Sequence, residues 1–292
     1  MNNNYIEFKK KRELGDILKD VFAFLRTNIK PLFSILFRTT GFSFAILIIA
    51  VGYYTHQSSN ILDLFNIGGN TQIFTSANFI VSLFFMFAST VLFYGLVFGT
   101  ILHYIRVYIQ GNGIIDQSMI IEGVKKNFGK IIGLSILSTL ITSFGFLLCF
   151  IPGIYFYVPM SLVFSILVFR NIGVFDSISE SFELIKNEWW ITFATLLVIL
   201  ILAYIISMVF SIPAIIYMFF KTFTAATEGT LSDPSTMLDW ISVTLSTLAS
   251  VLQYIIIYLL TAISSAFIYY NINERKNHTG TLEQIDALGK SE

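Results

Sequence analysis

The sequence predicts an all-α, polytopic membrane protein with six transmembrane helices. Hydrophobic residues make up 55% of its 292 residues and charged residues only 12%, and the mean hydropathy is +0.75. A soluble domain carries about 25% charged residues, so this composition indicates a chain surrounded largely by lipid. The apolar residues are also collected into long stretches separated by shorter polar segments, which is the pattern of membrane-spanning helices.

Residues 1–31 are expected to form a cytoplasmic amphipathic segment. Between Leu14 and Ile29, apolar residues recur at the three- and four-residue spacing of a helix, and polar residues occupy the other face. Pro31 is expected to end this helix, because proline lacks the N–H that continues the helical hydrogen bonds. The basic residues 9–12 favour contact with an anionic leaflet. Packing of this helix against another helix is the alternative.

The membrane domain is expected to cover residues 32–270. Its spans are predicted at residues 39–54, 79–102, two stretches within 131–169, a stretch from 189 to 213 or beyond, and 241–270. Residues 131–169 carry no charge and, as one helix, would be about twice as long as the hydrocarbon layer is thick. They are therefore expected to form a hairpin that turns at Pro152 and Gly153. Pro159 is expected to kink the fourth span, and the fifth is expected to tilt, to break at Pro213 or to extend beyond the lipid.

The basic residues are sorted to one side of these spans. Every Lys and Arg except Lys221 lies in residues 1–38, in residues 103–130, in residues 170–188 or in the tail. The positive-inside rule therefore predicts that both termini lie in the cytoplasm. Residues 271–292 are expected to form a cytoplasmic tail, with a short helical patch at Leu282, Ile285 and Leu288.

Two segments of the chain resemble each other at an offset of 60 residues. Gly113 and Asp116 correspond to Gly173 and Asp176, and Lys126 and Asn127 correspond to Lys186 and Asn187. A looser third copy begins at Gly15 and Asp16. Each copy combines an amphipathic helix with a two-span hairpin, which predicts three cytoplasmic interfacial helices and a threefold helix-plus-hairpin repeat. Chance matching of a few residues is the alternative. An aspartate near each helix start suits the helix dipole.

Three short motifs carry a resemblance to a known group of proteins. They are IPGIY at residues 151–155, SFELIKNEWW at 181–190 and YYNINERK at 269–276. With these motifs the chain resembles a group of bacterial six-span proteins related to the membrane domain attached to some glycerophosphodiester phosphodiesterases. The resemblance implies a multi-pass integral membrane family of the bacterial cytoplasmic (inner) membrane. It implies no enzymatic activity, because no stretch here has the length, polarity or His and Glu clusters of the phosphodiesterase barrel.

The sequence offers no set of residues for catalysis. His56, His103 and His278 are far apart and lack partners at metal-ligand spacing, so they are expected to be solvated or interfacial. Cys149 is the single cysteine and is expected to be a small buried apolar residue. The chain has no motif of a hydrolase, a metalloprotease or a nucleotide-binding protein. We therefore expect no enzyme activity, no cofactor and no metal.

Two sets of residues are candidates for binding. Asp176, Glu180, Glu183 and Asn187 share one face of a predicted helix, opposite Val174, Phe175, Ile178, Phe182 and Ile185. This acidic face is either simply solvated or a docking surface for a basic partner. Within the membrane, no Asp, Glu, Lys or Arg lies in the middle of a span, where an ion-coupled transporter usually carries one. Gln253, with the helix-breaking Pro159 and Pro213, marks a possible intramembrane polar site. The remaining Ser and Thr residues are expected mainly to hydrogen-bond within and between helices.

These observations predict a non-catalytic scaffold or accessory subunit of a membrane complex. Its expected partners are membrane lipids and other membrane proteins or further copies of itself, and not nucleic acid. The alternative is a transporter or flippase-like protein for lipid or another apolar small molecule, which the proline-broken fourth and fifth spans favour. A third class, a membrane enzyme acting on lipid head groups, lacks residues to carry the chemistry.

Overall fold

The computed structural model describes residues 5–58, 77–228, 239–280 and 282. Within these residues the chain is helical and contains no strand. Most of the predicted loop at 55–77, much of the loop at 221–239, and Ile285 and Leu288 of the predicted tail patch lie outside the described residues. The helices are α1 (Leu14–Ser58), α2 (Ala77–Gln110), α3 (Gln117–Lys126), α4 (Phe128–Leu148), α5 (Phe150–Met160), α6 (Val163–Arg170), α7 (Val174–Ile185), α8 (Trp189–Ser207), α9 (Ile212–Glu228) and α10 (Trp240–Asn277).

Within the described ranges, six helical stretches are long and apolar enough to cross a membrane. They are Leu14–Ser58, Ala77–Gln110, Phe128–Leu148, Phe150–Arg170, Trp189–Thr227 and Trp240–Asn277. The predicted fold class, an all-α polytopic membrane protein, is therefore confirmed.

Helix α1 continues through Pro31, and the predicted end of the amphipathic helix at this residue is wrong. The missing N–H of proline removes one helical hydrogen bond, but helices inside a bundle tolerate this when their neighbours hold them. On one side of the proline, the buried Asn28 accepts a hydrogen bond from the hydroxyl of Tyr104 at 3.0 Å. On the other side, Leu32 and Ile35 are fully buried. The first amphipathic segment is thus fused to the first span, whereas α3 and α7 are separate short helices.

Helix α2 ends eight residues later than the sequence suggested, at Gln110. From the sequence alone, the polar residues after 102 are expected to begin a cytoplasmic segment. Ile105 and Tyr108 are nevertheless buried, and so is Tyr104. Their apolar face continues the face of the span and packs into the interior, so the helix continues with it.

The turn between α4 and α5 is at Cys149, and not at Pro152 and Gly153 as expected. Cys149 has an extended backbone, with φ −173° and ψ 160°. Pro152 lies in the first turn of α5, where the missing N–H of proline would have no helical partner in any case. Gly153 allows close packing, because a Cβ at this position would lie 2.3 Å from the ring of Phe146. Cys149 is exposed, so its predicted burial is also wrong.

Pro159 and Pro213 lie next to interruptions of their helices, as expected for Pro159 and as one of the three outcomes left open for the fifth span. After Pro159, helix α5 ends at Met160, and a turn at Ser161 and Leu162 leads into α6. In the fifth span, the 3-10 turn Met208–Ser211 separates α8 from α9, just before Pro213. Pro213 cannot donate to the carbonyl of Val209, which instead accepts the N–H of Ile212.

The chain divides into two compact units. Unit 1 comprises the described parts of residues 1–40, 94–202 and 258–292, and unit 2 those of 41–93 and 203–257. In the core of unit 1, the ring of Phe8 stacks on that of Phe267 at 4.2 Å and meets Phe24 edge-on at 5.4 Å. Residues 163–168 of α6 are buried on all sides. Unit 2 has a smaller core, which includes Leu47, Ala50 and Val251.

The predicted repeat is visible in the order of elements. Helix α3 precedes α4 and α5–α6, and α7 precedes α8–α9 and α10. Asp116 caps α3 by accepting the N–H of Ser118 at 2.9 Å, and Asp176 and Asp16 lie in the first turns of α7 and α1. The hydroxyl and N–H of Ser118 lower the pKa of Asp116 below its ordinary range.

Candidate functional site

Helix α7, which carries the predicted acidic face, packs through two serines and two aliphatic residues. Ser177, Ser181, Leu184 and Ile185 form its buried stripe. The serine hydroxyls donate to carbonyls of their own helix, from Ser177 to Gly173 and from Ser181 to Ile178, each at 2.7 Å. Such satisfied small side chains allow neighbouring helices to approach closely. The apolar face predicted for this helix is thus divided: Ile185 is buried, whereas Phe175 is 76% exposed.

The four residues of the predicted acidic face have different surroundings. Glu180 forms an ion pair with Arg170, whose Nε also donates to the hydroxyl of Tyr269 at 3.1 Å. Asp176, Glu183 and Asn187 are exposed. Glu180 thus fastens α7 to the end of α6, while the carboxylates of Asp176 and Glu183 are available to another molecule.

The end of α7 is fixed to α10 by two further polar contacts. Arg275 pairs with Glu188 at 3.3 Å, and the Nζ of Lys276 donates to the backbone carbonyl of Glu183 at 3.1 Å. Arg275 also donates to the backbone carbonyl of Arg12 at 3.2 Å. The sequence contained the motif with Arg275 and Lys276, but only the fold brings it to α7.

Arg12 is a buried cation, although the sequence placed it in a basic cluster facing lipid. It is 2% exposed. Its guanidinium donates to Asp20 at 2.8 Å, to the carbonyl of Phe8 at 2.8 Å and to the carbonyl of Glu7. It also lies 4.9 Å from the ring centre of Phe267. Burial lowers the pKa of Arg12, and the hydrogen bond to Asp20 opposes this.

An open apolar groove of about 560 Å³ lies where the start of α8 meets α5. We call it the tryptophan groove. The rings of Tyr155 and Trp189 stack at 6.1 Å, and Trp189 stacks on Phe193 at 5.3 Å. Trp190 is 76% exposed. The groove is lined by Ile151, Ile154, Tyr155, Lys186, Asn187, Trp189, Trp190 and Phe193.

The tryptophan groove changes one expectation about the membrane. The sequence placed the Pro152 turn and Lys186 on opposite sides of the bilayer. Ile151 and Lys186 instead line the same groove, and residues this close cannot lie on opposite sides of a hydrocarbon layer about 30 Å thick. The cause is the path of α7, which packs back along α6 and α5 and brings Phe182 within 6.2 Å of Phe156.

The predicted intramembrane site is only partly assembled. In unit 2, the amide of Gln253 donates to the hydroxyl of Ser211, and both side chains line a second open groove of about 540 Å³. We call it the glutamine groove. Pro213 lies in the chain between the lining residues Ser211 and Ala214 but does not itself line the groove, and Pro159 is buried within unit 1. The glutamine groove is lined by Ser211, Ala214, Ile215, Met218, Phe219, Thr222, Ser246, Ala249, Ser250 and Gln253.

His103 is buried, whereas the sequence predicted a solvated or interfacial position. It is 3% exposed. Its Nδ1 lies 2.7 Å from the carbonyl of Gly99 and its Nε2 lies 3.1 Å from the amide of Asn127. A Cβ at Gly123 would lie 2.5 Å from the imidazole ring, so this glycine makes room for the histidine. His56 and His278 are exposed, as predicted. Among the described residues, no three His, Cys, Asp or Glu side chains gather at metal-binding distance.

Comparison with protein families, with curated proteins and with solved structures gave no match to this chain.

Proposed function

We propose that this protein is a non-catalytic scaffold or accessory subunit of a bacterial inner-membrane complex, and that α7 is its docking surface. The observation that carries this proposal is the way α7 is held. Arg170 forms an ion pair with Glu180 near the middle of α7, and Lys276 donates a hydrogen bond to the carbonyl of Glu183 near the end of α7. Asp176 and Glu183 remain exposed on a helix whose position is already fixed. A preorganised surface loses little conformational entropy on binding.

The partner is a membrane protein, or a second copy of this chain, that presents a basic segment at the cytoplasmic surface. All Lys and Arg residues except Lys221 lie in segments on one side of the spans, which supports a cytoplasmic location for both termini and for α7. The α4–α5–α6 hairpin crosses the membrane either twice or not at all. In both cases the chain after the hairpin lies on the same side as before it, so the proposed location of α7 and of both termini is unchanged. The resemblance to the membrane domain of glycerophosphodiester phosphodiesterases agrees with a membrane role without catalysis.

The proposal is tested by photo-crosslinking from α7 in native membranes. A photoreactive amino acid at the exposed Ser179 replaces a side chain on the outer surface of α7. We expect a discrete crosslinked product of defined mass, which disappears when Asp176→Asn and Glu183→Gln are combined. Mass spectrometry of the product distinguishes self-association from a different protein.

A matched control removes an exposed carboxylate elsewhere. Glu13 precedes α1 and is exposed, so Glu13→Gln should leave the crosslinked product unchanged. The same product in the double α7 variant, or no discrete product from Ser179 in native membranes, contradicts the docking role of α7.

A second candidate function, transport or flipping of lipid or another apolar molecule, is favoured by the glutamine groove. This groove combines an apolar wall with the hydrogen-bonded pair Gln253 and Ser211. In vesicles containing fluorescent phospholipid, a flipping protein exposes the inner-leaflet label to a membrane-impermeant reductant. We expect Gln253→Leu to slow this exposure if the groove conducts lipid, while Gln110→Leu, outside the groove, should not. Equal exposure in vesicles with and without the protein contradicts this function.

A further inference from the structure

The tryptophan groove has one cationic side chain at its edge. Lys186 is exposed and forms no ion pair with any described residue. The acidic residues near it in the sequence do not line the groove: Glu188 pairs with Arg275, and Glu183 is exposed outside the groove. Asn187, which lines the same groove, supplies an amide donor.

The rest of the tryptophan groove is apolar and open to the surroundings. Ile151 and Trp190 are each 76% exposed, although both are large apolar side chains. Exposed Trp at the end of a span is typical of the membrane–water interface, where its ring lies at the depth of the head groups. The groove therefore places a positive charge and an amide next to a surface that suits a hydrocarbon chain.

We propose that the tryptophan groove binds one anionic glycerophospholipid. Its phosphate is held by the ammonium group of Lys186 and the amide of Asn187, and one acyl chain lies against Ile151, Trp190 and Phe193. Charge complementarity selects the lipid: a phosphate with a neutral head group gives the ammonium group a net negative partner, whereas a zwitterionic head group brings its own competing cation. The volume of about 560 Å³ is within the range of small-molecule sites. This site is separate from the exposed acidic residues proposed for docking and does not depend on them.

The test uses tryptophan fluorescence, since the chain has three Trp residues and two of them line the groove. Trp240→Phe removes the third and leaves emission from Trp189 and Trp190. The protein is placed in phosphatidylcholine vesicles that contain a small fraction of phosphatidylglycerol with brominated acyl chains, which quench nearby indoles. We expect stronger quenching than with brominated phosphatidylcholine at the same fraction. Lys186→Gln should weaken the apparent affinity for the anionic lipid about fivefold, the effect of one basic residue near a membrane surface.

Two further variants separate this site from general attraction to anionic lipid. Lys126 corresponds to Lys186 in the repeat and is likewise exposed, but it does not line the groove, so Lys126→Gln should leave the quenching unchanged. Lys186→Arg keeps the charge and should keep the preference. Equal quenching by the two brominated lipids, or equal losses in Lys126→Gln and Lys186→Gln, would show only annular lipid and overturn the proposal. Relief of quenching by soluble glycerol phosphate at a concentration no higher than that of the brominated lipid would also overturn it, because the acyl chain would then add nothing to the affinity.

Discussion

The indole N–H of Trp189 donates to the backbone carbonyl of Tyr155 at 3.5 Å. This carbonyl would have bonded to residue 159 in an unbroken helix, but residue 159 is proline and has no N–H. The rings of Tyr155 and Trp189 also stack at 6.1 Å. The proline in α5 therefore leaves an acceptor that the first residue of α8 uses, and the break in one helix fixes the start of another.

This relationship predicts a coupling between Trp189 and Pro159. Trp189→Phe keeps the aromatic contact but removes the donor, and should lower the free energy of unfolding by about 1 kcal/mol. Pro159→Ala restores a backbone N–H that can reach the Tyr155 carbonyl, so Trp189→Phe should cost less in that background. Reversible unfolding of the four proteins in mixed micelles measures the difference. Trp190→Phe is the control. If Trp189→Phe lowers the free energy of unfolding equally in the two backgrounds, the indole hydrogen bond does not depend on Pro159.

The sequence was sufficient for those features that depend on composition or on local backbone chemistry. The six apolar stretches, the aspartates at the helix starts and the interruption at Pro159 were predicted, and a break near Pro213 was one of the alternatives left open. The missing N–H of a proline is a property of its own backbone, and the hydropathy of an apolar run is a property of its own residues. Predicting these features therefore required no knowledge of distant residues.

Features set by distant contacts were not predictable in the same way. Pro31 was expected to end a helix, but burial of residues on both sides of it keeps α1 continuous. His103 looked interfacial, and its burial depends on Gly123, twenty residues later. Arg12 was assigned to a basic patch, although its partners include Asp20 and the ring of Phe267. No periodicity within a single segment distinguishes a buried Arg from an exposed one.

Arg12 should be among the residues most important for the stability of unit 1. Its guanidinium contacts Asp20 and two backbone carbonyls out of contact with water. Removing the guanidinium takes the donor from the buried carbonyl of Phe8, and a buried acceptor left without a partner costs about 1–3 kcal/mol. Asp20 is partly exposed and still has Lys10 at 3.4 Å. Arg12→Gln should therefore strongly lower the thermal unfolding midpoint in detergent. Arg12→Lys should recover only part of the lost midpoint, because an ammonium group cannot replace the several donors of the planar guanidinium group. Lys11→Gln, at an exposed neighbour, should have no effect, and equal midpoints for all three variants would contradict the structural role.

The α4–α5 hairpin should be sensitive to methyl groups at its crossing point. A Cβ at Gly145 would lie 2.8 Å from the ring of Phe156 and 3.1 Å from the backbone of Gly153. Gly145→Ala should force the helices apart and cost about 1–3 kcal/mol of stability. Gly129→Ala lies in the same helix with nothing within 4 Å of the new Cβ, so it should be neutral or slightly stabilising. Thermal unfolding of both variants tests the comparison, and a stable Gly145→Ala protein would show that the hairpin is loosely packed.

Asp239 should make unit 2 sensitive to acid. Hydrogen bonds from the hydroxyl of Tyr217 and the N–H of Ser242, with Lys221 nearby, hold the pKa of Asp239 far below its ordinary value of 3.8. A carboxyl group whose pKa is lowered by folding stabilises the folded state above its unfolded pKa, and this stabilisation is lost as pH falls towards the folded value. The thermal midpoint should therefore fall below about pH 4. The Asp239→Asn variant should have a lower thermal midpoint at neutral pH, and its midpoint should lack this part of the pH dependence. Parallel pH profiles for the two proteins would contradict the assignment.

Cys149 should report the depth of the hairpin tip without any engineered residue. Leu147, Leu148, Phe150 and Ile151 around it are exposed and apolar, and residues 131–169 carry no charge. An apolar tip of this kind is stable in hydrocarbon and not in water. In intact vesicles, Cys149 should therefore react very slowly with a charged maleimide added to either side, and should react fully once the protein is dissolved in detergent and unfolded. Ser179→Cys, in a Cys149→Ser background, provides the accessible control on α7 and should be modified from the cytoplasmic side alone. Rapid modification of Cys149 from the opposite side would place the tip in water across the membrane and would contradict the shared depth of Ile151 and Lys186.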